Sequence, residues 1–377
     1  LEEIKLGNLS ILAHINKDRN IGLDLMRAVA IMLVLGAHSF HIVAAHISPT
    51  ITTIFLPDGV DLFFVLSGFL VGRIWIKKME QGDVSFNAFF SFYKRRWFRT
   101  VPVYWFVILV LAIGRIIVSK GKLDFPWHYF VFIQNLFQSE WDPYFFYPEA
   151  WSLSIEEWFY VLMPLATIFL LKVHLSKKNA VLIFGLTIVF VPLILRLILF
   201  FQNDYTTLDD FHRHVRRIVV YRLDAIGWGV LGAWISHYLP SLWSSFKKNY
   251  AAWLFLFIVI SIFAQPSSLQ IPFLSTSYFT LLSALLMLLL PKIQSISIAS
   301  IPVRNTITTI SILSYSLYLV NRTPIYQTLF FPLKSYSDGS LAIALVGYVL
   351  YYLLSFVAAY IFYRLVEKPF TDLRERF

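Results

Sequence analysis

The chain has 377 residues, of which 58% are hydrophobic, 18% aromatic and only 14% charged, with a mean hydropathy of +0.67, against about 25% charged in a soluble domain. That composition excludes a water-soluble globular fold, and the absence of cysteine excludes a disulfide framework, a thiolate metal site and a cysteine nucleophile. The net charge of +10 is spread over short stretches between apolar runs, so it reads as membrane topology and not as a nucleic-acid surface.

Apolar windows of about 18 residues or more, each long enough for a hydrocarbon core about 30 Å thick, recur along the whole length. They predict an all-α polytopic bundle of about ten transmembrane helices near 23–44, 58–76, 101–118, 150–171, 180–201, 221–238, 251–265, 272–290, 306–331 and 341–363. With the N-terminus inside, the cytoplasmic segments hold about 21 Lys and Arg against about 6 outside, so both termini are expected to be cytoplasmic. The expected organisation is a single transmembrane domain over 1–377, with a cytoplasmic N-terminal segment (1–22) and a cytoplasmic tail (364–377). No short signal-peptide pattern precedes the first span, which is therefore expected to be retained.

Taken in order, the helices carry ionisable residues that hydrocarbon does not tolerate without a partner or a function, since a charge at a helix centre costs at least about 2.5–3.5 kcal/mol. Arg27 lies at the inner end of the first helix and His38 lies eleven residues on, about 16 Å higher on nearly the same side and about 22 Å from the inner end. Asp61 enters early on the second helix, and Arg73 leads into a basic connection with Lys77, Lys78, Lys94, Arg95, Arg96 and Arg99. Glu156 and Glu157 lie near the outer end of the fourth span, Arg222 and Asp224 begin the sixth, and Asn321 and Arg322 sit high on the ninth.

Two layers result. At the outer one, five helices offer polar groups. Asp61, Arg222, Asp224, Asn321 and Arg322 either contact a substrate there or pair to hold the bundle together. At the inner one, Arg27, Arg73, Arg95, Arg96 and Arg99 suit the phosphates of a long, thin anionic ligand such as coenzyme A, whose arm would reach His38. A neutral His38 could then take a proton from an acceptor hydroxyl, with Glu156 or Glu157 fixing its tautomer or stabilising the imidazolium. Glu367 and Lys368 read as a cap on the last helix, and the small residues Ser67, Gly68, Ser152 and Ser154 as helix-packing positions. The sequence contains no metal-ligand spacing and no nucleotide-binding loop.

GLDLMRAVAIMLVLGAH at 22–38, GVDLFFVLSGFLVGRI at 59–74, YKRRWFRTVPVYW at 93–105, WSLSIEEWFYVLMP at 151–164, YRLDAIGWGVLGAW at 221–234, SYSLYLVNRTPI at 314–325 and VEKPF at 366–370 together resemble the bacterial acyltransferase 3 family. The resemblance implies O-acylation, usually with acetyl-CoA as donor, of a cell-envelope carbohydrate such as lipopolysaccharide or exopolysaccharide. It further implies a place in the bacterial cytoplasmic membrane and an essential histidine, carried over to His38. Family members often have histidine where this chain has Asn321. Some carry an additional soluble esterase-like domain; none is expected here, since the sequence stops shortly after Phe370. The nearest rival within the class is a succinyl or other acyl donor. A secondary transporter, or a flippase-like partner of envelope-glycan synthesis, would also place charges within the membrane.

Overall fold

The computed structural model describes residues 19–47, 58–82, 84–118, 125–137, 146–202, 212–263 and 272–374. Most of the expected N-terminal segment, the last three residues of the expected tail and parts of the two long connections at 119–149 and 202–220 lie outside the described residues. Among the described residues the fold is helical throughout, with no strand.

The long helices are α1 (Ile21–Val43), α2 (Gly59–Glu80), α3 (Phe86–Val118), α4 (Ala150–Lys172) and α5 (Lys177–Gln202). They are followed by α6 (Asp224–Tyr238), α7 (Pro240–Lys248), α8 (Tyr250–Phe263), α9 (Pro272–Gln294), α10 (Ile301–Val320) and α11 (Leu341–Phe362), with a short α12 (Lys368–Arg374) at the end. Two starts are written in the sequence. The side chain of Asn20 accepts from the Leu23 amide at 3.0 Å, and that of Asp58 accepts from the Val60 amide at 3.0 Å. Each satisfies a donor that the first turn of a helix leaves open.

A helix lies at each of the ten expected places. Seven are long and apolar enough to cross a membrane, or eight if the bent pair α7 and α8 forms one span. Two helices account for the difference from ten. Helix α6 has only 15 residues, about 22 Å at 1.5 Å per residue. Helix α10 devotes an inward stripe to Thr308, Ser311, Ser314 and Ser316, all buried, which lowers its hydropathy because it faces protein and not lipid. Helix α3 differs in the other direction. Its 33 residues extend through Lys94, Arg95, Arg96 and Arg99, so the basic run expected in a connection is helical and presents its arginines at fixed spacing.

Helices α2 and α6 form the closest pair. A Cβ on Gly68 would meet the backbone carbonyl of Ile226, and one on Gly229 would meet that of Val65. In lipid, where apolar surface gives little drive to associate, small residues admit this backbone contact and the dispersion it brings. The approach also brings together a buried charge cluster that joins α2, α5, α6 and α9. Arg222 donates to Asp61 and, at 3.0 Å, to Asp224; Arg196 donates to Asp224 at 2.8 Å, to the Tyr221 carbonyl and to Thr280. Arg222, Asp224, Arg196 and Asp61 are at most 2% exposed. Two arginines and two aspartates leave the cluster neutral, which is the condition under which such groups can be buried.

Two outcomes follow from this packing. Gly68→Leu places a branched side chain against backbone that cannot yield, beyond the roughly 1–3 kcal/mol of ordinary overpacking, so size-exclusion profiles of the detergent-purified protein should show little monodisperse material. Asp61→Asn strands a buried cation, at a cost of roughly 3–5 kcal/mol. It should lower the apparent unfolding temperature far more than Asp338→Asn in the exposed Lys334–Asp338 pair.

Candidate active site

Helix α10 does not end cleanly. It widens into a π-helical segment, Asn321–Phe330, that contains Pro324. Proline supplies no amide and displaces the preceding turn, which is one cause of such widening, and π segments recur at functional sites. Asn321 opens this segment. Its Nδ2 donates to the carbonyls of Leu317 at 2.7 Å and Tyr318 at 3.0 Å, and its Oδ1 lies 2.5 Å from Nδ1 of His38. The Tyr351 hydroxyl donates to the same Oδ1 at 3.2 Å.

These contacts settle the imidazole. Because the amide nitrogen of Asn321 is committed to two carbonyls, its oxygen is the atom that faces His38, and an amide oxygen only accepts. Neutral His38 must therefore carry its proton on Nδ1, and Nε2 presents a lone pair. The residue stands on α1 and is partly exposed, whereas Asn321 is fully buried.

Glu156 and Glu157 lie elsewhere. Tyr160 donates to Glu156 Oε2 at 3.1 Å and is itself 2.9 Å from the Ser67 hydroxyl. Thr100 donates to Glu157 Oε1 at 2.6 Å. The orienting contact expected from a glutamate is made by Asn321. Helix α4 begins at Ala150, where the span was expected, and its glutamates bond within α4 and to α3, not to α1.

Below His38 a cleft of about 110 Å³ opens between α1, α2, α3, α4 and α10. Arg27, Arg96 and Arg99 line it, with Glu156, Tyr160 and Ser67 among its polar groups and Phe63 and Tyr318 among its aromatic ones. The rings of Phe63 and Tyr318 meet edge to face, 6.5 Å between centroids. Because Tyr318 also offers its carbonyl to Asn321, this part of the lining adjoins the His38 contact. A second cleft of about 370 Å³ is lined by Lys78, Arg95, Arg96 and Arg99 with Ile74, Ser91 and Phe92. Arg96 and Arg99 belong to both clefts, so one arginine face of α3 leads from the basic end of the bundle into its interior.

Arg27 is held from below. Asp24 accepts from Arg19 at 2.5 Å and from Ser311 at 2.7 Å, and lies 3.6 Å from Arg27. Arg73 is exposed, its guanidinium 5.5 Å from the Phe69 ring centroid, and lines neither cleft. Asp61, Arg222 and Asp224 belong to the structural cluster described above. The single outer layer expected from helix depth is thus divided into the His38–Asn321 contact, the buried ion cluster, Glu156 in the cleft and Glu157 on Thr100.

Sequence reasoning passed over two residues and misread a third. Glu149, 2% exposed, receives both the amide of Thr323 at 2.5 Å and its hydroxyl at 2.7 Å. Asp24 stood in plain view three residues before Arg27, and that i, i+3 spacing was the available signal. Glu367, expected as an interfacial cap, is buried and accepts from Ser316 at 2.5 Å.

The pattern of the acyltransferase domain that defines the acyltransferase 3 family matches residues 20–364. A Staphylococcus aureus (strain COL) protein named "Putative O-acetyltransferase" is 26% identical over 378 aligned positions, covering 93% of this chain, which spans 57% of that relative's length. The O-acetyltransferase OatA of S. aureus (strain NCTC 8325 / PS 47) is 33% identical over 162 positions, covering 40% of this chain and 25% of OatA. No solved structure matches the chain. With the family pattern running from the start of α1 through α11, the chain belongs to the acyltransferase 3 family of membrane proteins.

Proposed function

We propose that the protein is a membrane O-acetyltransferase that moves acetyl from acetyl-CoA to a hydroxyl of a cell-envelope carbohydrate, with His38 as general base. The observation that carries this reading is the contact of His38 Nδ1 with Asn321 Oδ1, which favours the Nδ1–H tautomer. An imidazole whose Nδ1–H is bound to Asn321 at 2.5 Å offers Nε2 as a base, the state a general base needs before it acts.

The donor side rests on charge and shape. Arg96 and Arg99, shared by both clefts, with Arg95 and Lys78 at the entrance and Arg27 within, form a track of guanidinium groups suited to the phosphates of coenzyme A. The interior cleft, with Ser67, Thr100, Glu156 and Tyr160 in its walls, would receive the amides and hydroxyl of the pantetheine arm. In the reaction His38 Nε2 takes the acceptor hydroxyl proton as that oxygen bonds to the thioester carbonyl carbon. The C–S bond then breaks, and the imidazolium returns the proton to the departing thiolate. Glu156 and Glu157 act on the donor side, where their contacts lie.

In this reading the basic end of the bundle and both termini are cytoplasmic, the membrane is the bacterial cytoplasmic membrane, and the acceptor meets His38 from the outer side. The names of the relatives favour acetyl over succinyl or another short acyl group.

Purified protein in lipid, given radiolabelled acetyl-CoA and an envelope-glycan extract, should place label in carbohydrate. His38→Ala should reduce that rate by about 10²–10⁴, the usual contribution of a positioned base. No label from any short acyl-CoA would overturn the reading in favour of a transporter or a non-catalytic partner. Arg99→Ala should act differently, raising KM for acetyl-CoA more than it lowers kcat, because it removes a contact made equally to ground state and transition state.

A further inference from the structure

The turn that presents Asn321 to His38 is gripped by the chain entering α4. In a regular α-helix the Thr323 amide would donate to the Leu319 carbonyl. Here the Thr323 amide donates to Glu149 Oε1 at 2.5 Å, and the Leu319 carbonyl accepts from the Tyr147 hydroxyl at 2.8 Å. Two residues of the turn that enters α4, Tyr147 and Glu149, thus satisfy both ends of one helical rung. Glu149 also receives the Thr323 hydroxyl at 2.7 Å, and its backbone carbonyl accepts from the Tyr318 hydroxyl at 3.2 Å. Ser152 adds a 2.5 Å contact to that same hydroxyl.

We propose that Glu149 is a positioning residue for His38: its carboxylate clamps both donors of Thr323, holds the first turn of the π segment open, and so fixes Asn321 against the imidazole. The inference rests on the reading of His38 as base for its kinetic part only. A carboxylate suits the task because each oxygen can accept from one of two adjacent donors, and charge-assisted bonds of this kind are the shorter and stronger ones. Alanine leaves a buried amide and a buried hydroxyl without that partner, which favours closing the rung back to regular helix and rotating Asn321 away. Glutamine keeps one acceptor for the amide and turns its own N–H to the hydroxyl, which can accept; it should recover most of what alanine loses.

The test uses the full chain in lipid nanodiscs with ¹⁵N-labelled histidine, the His38 signals being assigned by their loss in His38→Ala. Wild type should show His38 as one neutral Nδ1–H tautomer. Glu149→Ala should shift those signals toward a mixture, lower kcat by roughly tenfold or more within the contribution of a positioned base, and leave KM for acetyl-CoA unchanged. Glu149→Gln should keep the wild-type signals. Thr323→Val, which removes only the hydroxyl donor, gives a milder shift in the same direction and serves if the alanine variant does not fold. Wild-type His38 signals and kcat in both Glu149→Ala and Thr323→Val would overturn the proposal while leaving acyl transfer intact. Signals that shift in a protein whose wild type transfers no acyl group would uphold the positioning and reject the transferase reading.

Discussion

A side chain that enters hydrocarbon with a charge or an open hydrogen bond finds no water there, so another helix has to complete it. That constraint organises this bundle more than apolar packing does, since lipid tails are as apolar as leucine and offer helices little reason to meet. Arg222 between Asp61 and Asp224, with Arg196 on the far side of Asp224, ties four helices by charges that none could carry alone. The close approach of Gly68 and Gly229 to the facing backbone brings α2 and α6 near enough for this to happen. Once these helices are locked together, α1 and α10 can pack beside them with their own polar residues facing inward.

The same rule explains the division of labour in the candidate site. Arginines on one face of α3 line two clefts, which in the proposed reading would take the phosphates of the donor. His38 needs no ion at all, because its Nδ1–H is satisfied by a neutral amide. Each glutamate accepts from a hydroxyl: Tyr160 for Glu156, Thr100 for Glu157 and Thr323 for Glu149. Cationic and acidic groups thus meet in one cleft, where Glu156 stands among Arg27, Arg96 and Arg99, while His38 keeps a neutral partner.

Much of this was legible in the sequence. Hydropathy placed a helix at each expected position, and spacing along α1 correctly put Arg27 and His38 on one side at different depths. It was less informative where a helix does not meet lipid. Helix α10 carries Ser311, Ser314 and Ser316 inward, and α6 is short, so neither passes a test built on apolar length. Depth alone also misassigned partners. Asn321 and Glu156 were placed in one layer, yet a residue's height on its helix says nothing of the direction in which it points. The widening at Pro324, which turns Asn321 toward α1, has no periodic signature. Glu149 escaped notice because it precedes α4, in a stretch that hydropathy reads as connection.

The neutral partner of His38 bears on how a proton can be stored inside the protein. An aspartate or glutamate at the position of Asn321 would form an ion pair with the protonated imidazole and make it a resting place for charge. An amide oxygen contributes only a dipole, so the imidazolium formed during the proposed transfer has no full countercharge bonded to its ring. It is then a brief carrier and not a reservoir, driven to release its proton to the nearest base. In the proposed reaction that base is the thiolate the same step sets free, and departure of the thiol would return the ring to the tautomer from which it started.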